Sequence, residues 1–238
     1  MALTPDAFTR ARDLKPAAVS EVLAEFYAPV HRLAHGLCGR PDVARGVVKY
    51  VMTRSIQRLP SWDDQDEAEN WFHHFTVLTT RRARAGKRRP EPGAGNDMLL
   101  GDMSAPEPAY VAFLTALRNL PEQQQEAFVL HHGERIGLRT SSIAMDCSTQ
   151  AAQNHLNAAT ETLRLVAGER FERFTTRLNA AYRRLTPDAE LALPLVRKVV
   201  RRRVWPRRVA LWTARLLVLA LVAGTAWLVW RLYGNVDV

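Results

Sequence analysis

Behind Ser148 and Thr149 the chain places Gln150, Gln153, Asn154, His155 and Asn157 in one helical stretch. Amide side chains donate and accept together, so Gln and Asn can meet adenine with two hydrogen bonds, and Ser or Thr can bond phosphate. Between Asp146 and Arg164 the same stretch has no Lys or Arg. A second group is cationic: Arg81, Arg82, Arg84, Lys87, Arg88 and Arg89. Six such cations can neutralise phosphates and give a salt-dependent affinity without base specificity. They equally suit a solvated helix C-terminus, where the helix dipole favours positive charge.

Little other chemistry is on offer. His31 and His35 stand four apart, a metal-ligand spacing, but no nearby Glu, Asp or Cys completes a set, so they read as helix-surface imidazoles. His73–His74 and His131–His132 are adjacent pairs that point to different faces of a helix. Cys38 and Cys147 make neither a metal spacing nor a disulfide framework, which suits a reducing compartment. No phosphate-binding Gly loop occurs, and no nucleophile, base and orienting acid can be assembled from local motifs. The expectation is a protein that is not an enzyme, with no cofactor and no metal.

The elements that must position these groups are helices. Val19, Val22, Leu23, Phe26, Val30, Leu33 and Leu37 predict a helix over 17–37, ended by Gly39-Arg40-Pro41. Pro41 opens a second helix over 42–59, and Pro60 with the acidic DDQDE stretch breaks the chain again. A third helix covers 66–86, acidic early and basic late. Residues 87–107, KRRPEPGAGNDMLLGDMSAPE, read as a flexible linker. Residues 108–166 form a second helical unit, in which Ser148 is the expected N-cap of the amide-bearing helix. Ala151, Ala152, Leu156, Ala159 and Leu163 supply its inward face, against Leu120, Phe128, Val129 and Leu130. Phe171, Phe174, Leu178, Tyr182 and Leu185 form a stripe at helical spacing that predicts packing on the neighbouring unit. No strand and no internal repeat is expected.

The tail is of another kind. Residues 209–230, VALWTARLLVLALVAGTAWLVW, would reach about 33 Å as a helix, near the roughly 30 Å of a bilayer's hydrocarbon. Its one charge, Arg215, lies near an end and can snorkel. Trp212, Trp227, Trp230 and Tyr233 sit towards the two ends, as interfacial anchors do. Arg197, Lys198, Arg201, Arg202, Arg203, Arg207 and Arg208 precede the run and only Arg231 follows it. The positive-inside rule then puts residues 1–208 in the cytoplasm and the last residues outside. Arg201, Arg202, Arg203, Arg207, Arg208, Trp212 and Trp230 become the membrane-interface candidates. The N-terminus has no apolar segment of the secretory type.

Charge is partitioned accordingly. Residues 195–238 carry nine Lys or Arg and one Asp, whereas residues 1–194 carry 24 basic and 23 acidic residues, a balance of +1. The high isoelectric point therefore belongs to the tail and is no argument for nucleic-acid binding by the rest.

Residues 108–166 resemble the fourth conserved region of the sigma-70 family, most closely its extracytoplasmic-function group. The resemblance rests on Leu120-Pro121-Glu122-Gln123, Glu126-Ala127-Phe128-Val129-Leu130, Leu138-Arg139, Ala144, Cys147-Ser148, His155-Leu156 and Leu163-Arg164. The 17–86 unit resembles the second conserved region through Tyr27-Ala28-Pro29-Val30, Leu33-Ala34, Gly39, Pro41, Val47-Val48 and Trp71. The resemblance implies an all-α protein of two small helical domains, residues 1–86 and 108–166, the second a helix-turn-helix, joined by the 87–107 linker. An amphipathic and polybasic segment (167–208) and a single transmembrane helix (209–231) are added. It implies RNA polymerase core and promoter DNA as partners.

The sequence departs from the family where function is concentrated. The family's acidic run, which grips the polymerase clamp, is replaced by Asp42-Val43-Ala44-Arg45-Gly46-Val47-Val48-Lys49-Tyr50. A like-charge contact at an interface costs several kcal/mol, which weighs against the usual polymerase contacts. Leu78 stands where the family usually has Asn, and Arg82 where Asp is usual. In Ser141 and Ser142 two hydroxyls replace the family's usual core-facing pair, so the first helix of the pair is expected to be loosened, or rotated to turn Ile143 inward. Two expectations follow. One is a membrane-anchored sigma-like transcription factor with weak DNA binding. The other is a sigma-like scaffold that binds proteins at the membrane, such as a membrane protein or an anti-sigma-like regulator.

Overall fold

The computed structural model describes residues 5–85, 98–100, 107–185 and 189–233, all of it helix, turn or short connection, with no strand among the described residues. A short helix α1 (Pro5–Arg12) precedes α2 (Pro16–Cys38), α3 (Pro41–Arg58) and α4 (Gln65–Ala85). Then follow α5 (Pro108–Asn119), α6 (Glu122–Phe128), α7 (Leu138–Met145), α8 (Thr149–Ala167), α9 (Phe171–Arg184) and α10 (Ala189–Tyr233).

Local chemistry sets the ends of these elements. Pro16, Pro41 and Pro108 occupy the first turn of α2, α3 and α5, where a missing N–H costs nothing. Gly39 ends α2 at φ +67°, returning its N–H to the His35 carbonyl. Ser148 caps α8: its Oγ accepts from the Ala151 N–H at 3.1 Å. The expected helices over 17–37, 42–59 and 66–86 thus lie within a residue or so of α2, α3 and α4.

One core holds α1 to α4 together through Val19, Val22, Phe26, Val47, Val51, Met52, Ile56, Trp62 and Phe72. The front of α10 joins it: Val196, Val199, Val200 and Val204 are buried against α2 and α3. The polybasic stretch is therefore half of an amphipathic helix whose valines grip the first helical unit. From there α10 runs on without interruption through Pro206 into the apolar segment. Residues 194–231 are long and apolar enough to cross a membrane, and the apolar window buries nothing inside the molecule.

A second core gathers α5 to α9: Tyr110, Phe113, Phe128, Leu156, Leu163, Phe171, Phe174, Leu178 and Tyr182. The aromatic stripe of α9 packs here as its spacing suggested. Leu33 and Leu37 of α2 and Val77 of α4 also belong to this core, so the two helical units share packing. Of the expected linker, only 98–100 and 107 lie within the described residues, and 98–100 do not behave as one. They form a short turn with Leu99 1 % exposed, its carbonyl accepting from the Tyr110 hydroxyl at 3.2 Å.

The expectation for α7 is reversed. Ser141 and Ser142 face inward and Ile143 is 44 % exposed. The helix keeps its register because Ser142 finds polar partners: its Oγ donates to the Arg139 carbonyl at 2.7 Å and lies 3.3 Å from Thr149 Oγ1. The Ser142 hydroxyl, satisfied inside its own helix, is cheap to bury, whereas the Ser141 Oγ is buried without a hydrogen-bond partner among the described residues.

Candidate nucleic-acid interface

The outer face of α8 is built on a three-residue turn. Asp146 adopts a left-handed conformation (φ +57°) at the end of α7, and Ser148 starts α8. Ala152, Leu156, Ala159 and Leu163 point into the second core, leaving Gln150, Asn154 and Asn157 exposed and Gln153 and His155 half-exposed. The amides pair along the helix. Gln150 Nε2 donates to Asn154 Oδ1 at 3.1 Å and Gln153 Nε2 to Asn157 Oδ1 at 2.7 Å. Of the two hydroxyls, Ser148 is engaged as the cap and Thr149 approaches Ser142. The exposed Glu161 adds a carboxylate to the face, which carries no cation until Arg164. That guanidinium lies 3.3 Å from Glu172 and over the Phe171 ring.

The cationic group is divided by the fold. Arg81 faces inward: Nε donates to Glu126 Oε1 at 2.8 Å, Nη2 to Glu126 Oε2 at 2.6 Å, and Nη2 also to the Met145 carbonyl at 3.0 Å. It ties α4 to α6 and α7 and is not available to a phosphate in this arrangement. Arg82 is exposed and Arg84 half-buried. Lys87, Arg88 and Arg89 lie outside the described residues. On α10, Arg201, Arg202 and Arg203 are exposed, as are Trp212 and Trp230. The side chains of Arg207 and Arg208 are outside the description.

Several buried polar contacts between the helical units escaped the sequence reading. Glu126, its side chain 2 % exposed, holds Arg81 in a bidentate pair. Burial pushes its carboxyl up, an effect the Arg81 hydrogen bonds and charge offset only in part. Arg118 is buried and Nη1 donates to the carbonyls of Gly36 at 2.5 Å and Leu37 at 3.3 Å, closing the C-terminus of α2 with a positive charge. Glu134 accepts from Arg32 at 3.3 Å and from the Tyr182 hydroxyl at 3.0 Å, and its carboxyl too is raised by burial. Gly36 admits the Tyr182 ring, which a side chain at that position would overlap. No short motif marks these residues; the only sequence signal is charge or glycine on an otherwise apolar helix face.

The histidine and cysteine candidates are structural in this setting. The His31 Nδ1–H donates to the Leu185 carbonyl at 2.6 Å, and its ring stacks on His35 at 4.0 Å. Burial lowers His35, His73 and His132 to about 4, so each is neutral at physiological pH. Burial raises the thiol of Cys38 to about 11 and raises that of Cys147, which disfavours a reactive thiolate at either. No group of three ligating side chains occurs among the described residues.

Comparison with protein-family models, with curated proteins and with solved structures finds no match.

Proposed function

We propose that this chain is a membrane-anchored sigma-like transcription factor. In this reading α7 and α8 act as a helix-turn-helix in a region-4-like unit, and α2 to α4 form the region-2-like unit. The observation that carries it is the open α8 face, where Gln150, Asn154 and Asn157 project from a helix capped by Ser148 and packed on α7. Amides on a rigid helix are suited to base edges in a major groove. With no cation on that face, the phosphate contribution is small and affinity is low. The charge asymmetry around the apolar part of α10 supports a cytoplasmic N-terminal side, with the few residues after Tyr233 outside.

The test is promoter-directed transcription by core RNA polymerase with the full chain reconstituted in lipid nanodiscs. Initiation at fixed positions, absent with core alone, supports the reading; unchanged transcription refutes it.

Two observations favour a second reading. Arg81, the first of the candidate DNA cations, is bound by Glu126, and the two helical units share a core. A chain whose surfaces have drifted in this way would serve as a scaffold for a protein at the membrane. Gel shifts of promoter-like DNA across salt concentrations separate the two. A sequence preference that survives rising salt counts against the scaffold.

A further inference from the structure

The inversion of charge on α3 acquires a meaning when α10 is laid beside it. Two adjoining cavities of about 380 and 510 Å³ lie along the α3–α10 seam and share Lys49, Thr53 and Arg203 as walls. Both fall in the size range of ligand pockets. Lys49 and Arg54 of α3 face them from one side, and Lys198, Arg202 and Arg203 of α10 from the other. No carboxylate lines either cavity. Arg54 is turned onto the Tyr50 hydroxyl and Gln57. Lys49, Lys198, Arg202 and Arg203 are exposed and have no carboxylate partner among the described residues. Leu195 and Val199 give the larger cavity an apolar floor.

Like charges gathered around a groove repel one another, and an anion between them relieves that repulsion. The position selects the anion. Val204 holds α10 on the first core, and the helix reaches the apolar segment at Val209 without a break. At 1.5 Å per residue, Arg203 lies about 9 Å and Lys198 about 16 Å along the axis from Val209. That is the headgroup zone and the water just beyond it, where an anionic leaflet's potential is strongest. A topology signal requires only the tail cations. It does not require Lys49 and Arg54, which come from a helix some 150 residues earlier in the chain.

We propose that the α3–α10 groove is a binding site for the phosphate of an anionic phospholipid. Lys49, Lys198, Arg202 and Arg203 hold the headgroup, while Leu195 and Val199 meet its glycerol or acyl end. The site orients the helical units against the membrane instead of leaving them on a free tether. It rests on the reading of α10 as a membrane span.

The chain's own lysines provide the readout: Lys49 and Lys198 line the groove, and exposed Lys15, ahead of α2, lines neither cavity. The full chain is reconstituted in nanodiscs of phosphatidylcholine, with and without phosphatidylglycerol, and lysine acylation is followed by mass spectrometry. Phosphatidylglycerol is expected to slow acylation of Lys49 and Lys198 and leave Lys15 unchanged. Lys49→Gln should weaken the protection of Lys198 about five-fold, the weight of one cation near an anionic surface. Equal labelling in both nanodiscs overturns the proposal, as does protection of Lys198 that ignores Lys49→Gln. Protection by inorganic phosphate or duplex DNA in phosphatidylcholine nanodiscs, equal to that by phosphatidylglycerol, overturns the lipid assignment. Insertion is read separately from the emission of Trp212, Trp227 and Trp230. Failure to insert removes the membrane reading and the site together, whereas insertion with unprotected lysines removes the site alone.

Discussion

Replacing Arg81 with Ala puts the join between the two helical units under direct strain. Glu126 has a side chain 2 % exposed, and Arg81, 23 % exposed, gives it two hydrogen bonds of 2.8 and 2.6 Å. Without the guanidinium the carboxylate is left buried with no opposite charge bonded to it. Breaking a buried pair by removing one partner costs about 3–5 kcal/mol. The Met145 carbonyl loses its 3.0 Å donor in the same step, about 1 kcal/mol more. Water reaching the space left by Arg81 offsets part of this, so about 3–4 kcal/mol is expected. The double variant Arg81→Met, Glu126→Leu removes both charges and should recover most of the loss, because the desolvation penalty disappears with them. Thermal and denaturant unfolding of the full chain in nanodiscs would measure both. The pH dependence has a definite sign. Burial already favours the neutral form of Glu126, so in Arg81→Ala the orphaned carboxyl takes up a proton as pH falls, and the deficit relative to wild type shrinks. A loss below about 1 kcal/mol, the level of an exposed pair, would refute the reasoning, as would a double variant no better than the single one.

Gly36→Ala should destabilise by about 1–3 kcal/mol, since the new methyl group meets the Tyr182 ring, whereas Gly46→Ala, with open space around it in α3, should stabilise by about 0.5–1 kcal/mol. Matched melting curves of the two variants check the contrast. Ser148→Ala removes the α8 cap and should cost about 1 kcal/mol, read as a lower unfolding midpoint and faster amide exchange at the start of α8. His73, 5 % exposed, is lowered by burial from 6.5 to about 4. Its folded value is depressed, so the unfolded chain binds the extra proton. The His73 contribution to stability is complete above about 6.5 and is lost by up to about 3 kcal/mol as pH drops towards 4. His73→Leu should flatten that decline, and a midpoint-against-pH curve identical to wild type would contradict it.

The sequence reading succeeded where punctuation and period act locally. Gly39 and Pro41 close α2 and open α3, and Ser148 caps the helix it was expected to cap. These signals need no knowledge of what packs against what. The failures concern which face turns inward. Arg81 belongs to a basic helix end that reads as solvated or as phosphate-binding until Glu126 of another helix is brought beside it. Ile143 stays outside because Ser142 satisfies its hydroxyl within α7, a saving that a hydrophobicity count does not register. Val196, Val199, Val200 and Val204 do recur at helical spacing, but seven arginines and a lysine between 197 and 215 obscure the stripe. For the candidate site, the polar face of α8 was legible from residue types. The pairing of its amides and the diversion of Arg81 depend on distances that only the folded chain supplies.

Transcription by core RNA polymerase in the presence of the full, nanodisc-held chain is the most direct measurement of what it does. The account predicts RNA starting at fixed sites on genomic DNA fragments, sites that core polymerase alone ignores, with the signal reduced by Gln150→Ala or Asn154→Ala. RNA no different from that of core alone, with the chain recovered free of polymerase, would contradict it.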